Sequence, residues 1–518
     1  EVARAWQTAN DEMLDYNRIA AADPEMGEVL RSIRGLMERE RFLDFSLMVR
    51  EAVDAVRGNR PGVADALKDL RHFLVDEYQD VNPAQEELIR LLHAYNPEGT
   101  LFVVGDDDQA IYEWRGADVS NILKFTERYP QADRHALSVN FRSTGAIVSA
   151  SGRFIHEELG PARLPKEPRA DEKNAAPTPR DFRVLWFEDR EREAEWVAER
   201  VRTLLGTAYQ DEDGTRGLTP ADFAVLMRST RSEEGNGRPR HAAFTKALGN
   251  RGIPYSLEAG GSPFDRPQVQ VLRRVFALLR DGVPSRPETL NFFNNTVKNA
   301  YPHANPDHFV DVISRWGGNI HRPVGAGLSR VRLYPQRFLH EILEAFGIDR
   351  TGFGDDVMRE IGLFSRMMLD VESVYISIDS SSRFREIINF LENIAESGYD
   401  VTTDDLVQRP DAVTVSTVHK AKGLEFPCVF VVDTEHERFP CRQHKYDGWL
   451  PEKVMQPAID RQAYRTTHAG EARLFYTAIT RAERYLYVTG AQRLPGGRKN
   501  WKPSVYAKRL EEAARTTP

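Results

Sequence analysis

Apolar and polar positions change period along the chain, and the changes mark out the elements. Over residues 1–70 the pattern is helical. Within RFLDFSLMVREAVDAV, Phe42, Phe45, Val49, Val53 and Val56 recur at three- and four-residue steps, which predicts one face of a packing helix. From residue 72 the period shortens. HFLVDEYQD, LFVVGDDDQ (101–109) and ALSVNFRS (136–143) are short apolar runs, the first two ending in acids, and they read as buried strands. Between the first two, NPAQEELIRLL starts a helix, with Asn82 as cap and Pro83 in the first turn. Buried strands alternating with helices predict a parallel sheet in an α/β domain.

The stretch 161–181 is rich in proline and charge and reads as a surface crossover or interdomain linker. A second α/β pattern follows: FRVLWF (182–187), a helix around 191–205, then DFAVLM (222–227). Polar, glycine-containing segments near 207–218 and 229–240 predict exposed loops. Residues 265–405 read as mostly helical. Strand patterns return in VTVSTVHKAKGLEFPCVFVVD (413–433) and RLFYTAITRAERYLYVTG (473–490), so a helical insertion interrupts the second α/β domain. The short basic tail after 490 reads as a solvated end. The chain has no internal repeat and no low-complexity segment.

Composition narrows the classes. A length of 518 residues predicts roughly three to four domains. With 41% hydrophobic and 29% charged residues, the chain is globular rather than disordered. A net charge of −8 excludes a protein that coats nucleic acid by bulk charge. It leaves room for a local basic groove, whose affinity for a polyanion would depend steeply on salt. Two cysteines, Cys428 and Cys441, cannot build a disulfide framework or a four-thiolate metal site, and they suit a reducing cytoplasm. No apolar run approaches the roughly 20 residues that span a bilayer. The N-terminus is not a signal peptide and lacks an initiator Met, so a fragment or a processed product is expected.

Five strings carry chemistry. Val75-Asp76-Glu77-Tyr78-Gln79-Asp80 puts carboxylates at the end of a strand, where α/β sheets bind ligands. In phosphate-loop hydrolases such an Asp holds magnesium, and a second carboxylate can take the proton of the attacking water. In GDDDQAIYEWRGA (105–117), the Gln109 amide can reach a γ-phosphate or its water. Trp114 beside Arg115 is what a base-stacking, backbone-tracking platform needs. NFRST (140–144) offers Arg142 to neutralise a transferring phosphoryl group and Phe141 to stack on adenine. TVHKAKGLEF (417–426) sets polar and basic residues between two strands, and YTAITRA (476–482) offers Arg481 as a second finger.

Taken in this order, DEYQD, GDDDQAIYEWRGA, NFRST, TVHKAKGLEF and YTAITRA resemble motifs II to VI of the UvrD/Rep/PcrA group of superfamily 1 DNA helicases. The resemblance runs from about residue 40 to about 490. GIPYSLEAGGSPFDRPQV (252–269) looks like the family segment leading into the 2B insertion. The resemblance implies an α/β fold of two RecA-like phosphate-loop NTPase motor domains, 1A and 2A, with helical insertions 1B and 2B and ATP between 1A and 2A. By motif position, residues 1–66 would be the end of 1B and 67–150 the second half of 1A. Residues 151–265 and 406–500 would be 2A, 266–405 the 2B insertion and 501–518 a tail. Asp76 would bind Mg2+, Glu77 would be the general base, Gln109 the γ-phosphate sensor, and Arg142 and Arg481 the fingers. Phe141 would stack on adenine, and Gly423 and Glu425 would lie by the nucleotide, with Glu425 coupling it to DNA. Tyr112, Trp114 and His419 would touch single-stranded DNA. Glu113 stands where several relatives have Gly, a tolerated variation.

One element of the family is missing. No G-x-x-x-x-G-K-[ST] loop, whose amides and Lys cradle the phosphates, occurs in the 518 residues. The chain is therefore expected to be the later portion of a longer protein, to be completed by another chain, or to be a relative that lost hydrolysis. Without the missing strands, residues 67–150 would expose sheet edges and apolar faces.

Two functions of different class follow. The first, which the resemblance implies, would be a cytoplasmic, ATP-dependent 3′-to-5′ translocase and helicase acting on single-stranded DNA and 3′-tailed duplex, the polarity coming from the family alone. The second is a hydrolysis-deficient DNA-binding or scaffold subunit. A nuclease–helicase fusion is a weaker third, since nothing in the chain resembles a nuclease site.

Overall fold

The structure is a computed structural model. It describes residues 2–172, 174, 181–211, 214–230, 237–258, 266–321, 333–374, 380–393, 411–444, 446, 449–495 and 500–515. Residues 259–265 of the segment at 252–269, and 394–405 of the helical stretch, lie outside this set. The chain divides into two compact units, one made of 1–258 with 411–518, the other of 259–410.

The first unit is built on a six-stranded parallel sheet. Its strands are β5 (Phe182–Phe187), β8 (Phe223–Met227), β9 (Tyr255–Glu258), β10 (Val413–Thr417), β11 (Phe426–Val431) and β12 (Ala482–Ala491), in the order β5-β12-β11-β8-β10-β9. The central strands are apolar on both faces because both are covered. In β8, Ala224 and Leu226 pack with Phe154 and Phe475 on one side, while Phe223, Val225 and Met227 pack with Val201 and Phe244 on the other. Cys428 is buried in β11 as an apolar side chain.

A buried charge cluster sits beside this sheet. Arg190, at the start of helix Arg190–Leu204, donates to Glu193 at 2.5 Å and to Glu435 at 2.8 Å, and also pairs with Asp433. Arg190 is fully buried, so these carboxylates supply the compensation that a buried cation needs.

Two further strands, β1 (His72–Val75) and β2 (Thr100–Val103), form a separate parallel pair in register His72 to Thr100. They differ from the buried strands expected. Leu74 is 75% exposed and Phe102 58% exposed, because among the described residues no further strand extends this pair. The run at 136–143 yields only β3 (Val139–Asn140), paired with β4 (Arg169–Ala170).

Three expectations are corrected. The packing helix is Phe45–Arg57, and it buries Leu47 and Val53, whereas Phe45 is 86% exposed and Phe42 precedes the helix. Asp44 caps the helix through the Leu47 N–H, which sets its start and turns Phe45 outward. The polar segment near 207–218 is a hairpin of β6 (Ala208–Asp211) and β7 (Gly214–Gly217), stabilised by Arg216 bridging Asp211 and Asp222. The tail is not a solvated end. Residues Val505–Arg515 form a helix that buries Tyr506 and Leu510 against helix Gly145–Leu159, and Arg509 pairs with Glu158.

Helix Glu452–Asp460, between β11 and β12, buries Val454, Met455 and Ala458 among Trp6, Ile19 and Leu47 of the N-terminal helices. The second unit is helical, with Phe276, Trp316, Phe338 and Phe384 at the centre of its core.

Candidate nucleotide and nucleic-acid site

The predicted residues gather where the β1–β2 segment meets the six-stranded sheet, and all lie in the first unit. Asp76 and Glu77 follow β1. Glu77 takes a left-handed backbone (φ 50) that turns the chain into the short helix Tyr78–Asp80. Its N–H donates to Asp76 Oδ1 at 2.8 Å, and Asp76 stands exposed. The Tyr78 N–H donates to Val104 O at 2.9 Å, which ties the ends of the two strands together. Buried Gln79 locks the same corner: its amide oxygen accepts from the Asp106 N–H at 2.9 Å and its NH2 donates to Glu77. A Cβ at Gly105 would meet the Gln79 and Ile122 side chains, so a larger residue there would displace the Gln79 amide that ties the corner.

Gln109 ends the short helix Asp107–Gln109. Its NH2 donates to Asp106 Oδ2 at 2.7 Å, and its oxygen accepts from Arg481 Nη2 at 2.9 Å. Arg481 lies just beyond helix His468–Ile479 and is further held by Thr477 O at 3.0 Å and Leu424 O at 3.2 Å. Arg142 comes from the turn after β3, which the Asn140 side chain caps through the Arg142 and Ser143 N–H groups. Its guanidinium pairs with Glu425 and reaches Thr480 O at 3.4 Å. Burial, then the neighbouring Arg142 charge, pushes Arg481 down to about 10, which still leaves it cationic at neutral pH. Two guanidinium groups that repel one another are arranged to receive an anion.

Glycine at 423 adopts φ 81, a left-handed turn in the loop between β10 and β11 that carries Lys422 and Glu425. Phe141, next to Arg142 in the same turn, is 75% exposed.

A second group surrounds His419. The Tyr112 hydroxyl donates to His419 O at 3.2 Å, and the Trp114 ring meets the His419 ring edge-on at 5.9 Å. Trp114 is 45% exposed, so a face remains open, and Arg115 lies over it at 4.6 Å. Burial, followed by the charges of Arg228, Arg115 and Lys422, pushes His419 down to about 3. A neutral imidazole beside an open indole, ringed by three cations, can stack bases and attract phosphates.

Sequence reasoning missed several participants. Lys422, its side chain only 7% exposed, pairs with Asp80, approaches Glu77 at 3.5 Å and donates to Gln109 O at 3.0 Å. Asp80 is pushed up to about 6 by burial, with Lys422 opposing and Glu77 adding to the rise. Lys166 and Arg163 neutralise the acid run: Lys166 pairs with Asp107 at 2.6 Å and also with Asp106, and Arg163 donates to Asp108 at 2.9 Å. Glu113 pairs with Arg473 at 2.7 Å. Lys422, Asp80, Glu113 and Arg473 lie inside or beside a recognised string, whereas Arg163 and Lys166 lie in the 161–181 stretch that reads as a linker, and the ion-pair partners of all six are far away along the chain.

Among the described residues no helix is long and apolar enough to cross a membrane. Two family models match: the UvrD/REP helicase N-terminal domain over residues 3–130 and the UvrD-like helicase C-terminal domain over 361–493. The chain is similar to proteins named ATP-dependent DNA helicase PcrA. It is 28% identical over 515 residues to that of Staphylococcus aureus strain MRSA252, covering 92% of this chain and 63% of the relative. It is 27% identical over 516 residues to that of Staphylococcus epidermidis strain RP62A, covering 93% and 64%. The chain thus spans less than two thirds of the length of these relatives. Motifs in order, a parallel α/β core and the two family-model matches over 3–130 and 361–493 agree: the chain belongs to the UvrD/Rep/PcrA group of superfamily 1 helicases.

Proposed function

We propose that the chain works in an ATP-dependent DNA helicase that moves 3′ to 5′ along single-stranded DNA and unwinds duplex from a 3′ tail. The observation that carries this reading is the bond between Gln109 and Arg481, with Arg142 beside it. It joins a strand-end turn of one motor half to the finger of the other, at the place where a γ-phosphate would sit. In this reading β1–β2 belong to domain 1A, the six-stranded sheet is 2A, the N-terminal helices are the end of 1B, and the second unit is 2B.

Glu77, held by Gln79 and approached by Lys422, takes the proton of the attacking water. Arg142 and Arg481 leave Glu425 and Gln109 to meet the transferring phosphoryl group, and Phe141 is free to stack on adenine. Asp76 fits a magnesium ligand, since its carboxylate stands exposed at the end of a parallel strand. The ion, when bound, neutralises charge on the β- and γ-phosphates. Gly423 and Glu425 lie by the nucleotide and relay its state to His419, Tyr112 and Trp114, which hold the strand. The protein then resides with DNA in the cytoplasm.

The phosphate-binding loop is assigned to a segment outside these 518 residues or to another chain. Leu74 and Phe102 support this, because an exposed apolar sheet face needs a cover. The test is unwinding of 3′-tailed against 5′-tailed duplex by the intact protein with ATP. Unwinding of the 3′-tailed substrate alone is expected. DNA binding without ATP turnover would favour the scaffold reading instead.

A further inference from the structure

The string 105–117 is tied to helix His468–Ile479 and its end at two points. At the nucleotide side, Arg481 holds Gln109 at 2.9 Å. At the DNA side, Arg473 Nη1 donates to Glu113 Oε1 at 2.7 Å, with both side chains largely buried, at 3% and 15% exposure. Eight residues separate the two arginines, roughly 12 Å along a helix. The second tie is reinforced from the preceding segment. The Tyr464 N–H donates to Glu113 O at 3.0 Å, and the Thr467 hydroxyl donates to Glu113 Oε2 at 3.4 Å. Tyr464 also packs directly on Gly116, whose φ of 94 closes the same turn. Trp114 sits between these anchors.

We propose that Glu113 is a positioning residue: through Arg473 it fixes the Trp114 turn to the helix whose C-terminal end leads into Arg481, so strand binding and the finger move together. This rests on the helicase reading above. A solvated glutamate in this turn would leave Trp114 free to re-aim. Here the carboxylate is held in a buried pair: Glu113 accepts from Arg473 Nη1 and balances the charge of a guanidinium whose Nε has no acceptor among the described residues. The variation at 113 is therefore not neutral in this chain.

The test compares the intact wild-type protein with Glu113→Gln, Arg473→Met and the double variant. Single-stranded DNA affinity, ATP hydrolysis with and without DNA, and the unfolding midpoint are measured for each. The expected result is roughly tenfold weaker DNA binding in Glu113→Gln, the size of one lost stacking contact. DNA stimulation should fall in proportion, with DNA-free hydrolysis unchanged. The double variant should cost no more than the worse single one, since the pair acts as a unit. If Glu113→Gln lowers only the midpoint, and DNA affinity and stimulation stay at wild-type values, the pair is merely structural and the proposal is overturned. Should Glu113→Gln not fold, Arg473→Lys, which keeps the charge and loses the fork, carries the same expectation. A wild-type protein that neither binds DNA nor is stimulated by it overturns the helicase reading, and this inference with it.

Discussion

Arg481 donates to the amide oxygen of Gln109 at 2.9 Å, although 372 residues of chain separate them. The bond closes a cleft whose other members are Arg142, Glu425, Glu77 and Lys422. If Arg481 stabilises a transferring phosphoryl group, Arg481→Lys should cut DNA-stimulated ATP hydrolysis by about 10³-fold or more. Gln109→Ala should fall steeply too, and the double variant should be no worse than the weaker single one. Steady-state turnover at saturating ATP and DNA checks this.

Trp114 is the open stacking face. Trp114→Ala should weaken single-stranded DNA binding by about 1–3 kcal/mol, and wild-type affinity should fall steeply with salt despite the net charge of −8. Fluorescence anisotropy over a salt series measures both.

His419 gives a pH signature. Its folded value of about 3 lies below the ordinary 6.5, so below pH 6.5 the unfolded chain takes up a proton that the folded chain refuses. This stability is present above pH 6.5 and is lost as the pH falls toward 3, at no more than about 1.4 kcal/mol per pH unit. Urea unfolding of wild type and His419→Gln at pH 8 and pH 5 should show the wild type losing more. An unchanged gap between the two would count against it.

Arg190 anchors the buried charge cluster away from the cleft. Arg190→Met leaves Glu193, Asp433 and Glu435 buried with their main cation gone, and should cost about 3–5 kcal/mol of stability. Denaturant titration measures the loss.

The site was legible where chemistry sits at strand ends. Asp76, Gln109 and Arg142 follow apolar runs, and their strings announce them. Lys422 was hidden because its partner Asp80 is 342 residues away, and a lysine in a basic loop reads as solvated until the fold buries it. Glu113 was dismissed for the same reason: only the packing of helix His468–Ile479 supplies Arg473. The sheet was legible from β8 and β11, apolar on both faces. The β6–β7 hairpin was not, since its ladder joins polar residues with no apolar alternation. Phe45 misled because period alone does not say which face a helix buries.

The most direct measurement is ATP hydrolysis by the intact protein, with and without single-stranded DNA, beside Glu77→Gln. The account predicts hydrolysis that DNA stimulates and that the substitution abolishes while DNA binding persists. Hydrolysis indifferent to DNA, or surviving Glu77→Gln, would contradict it.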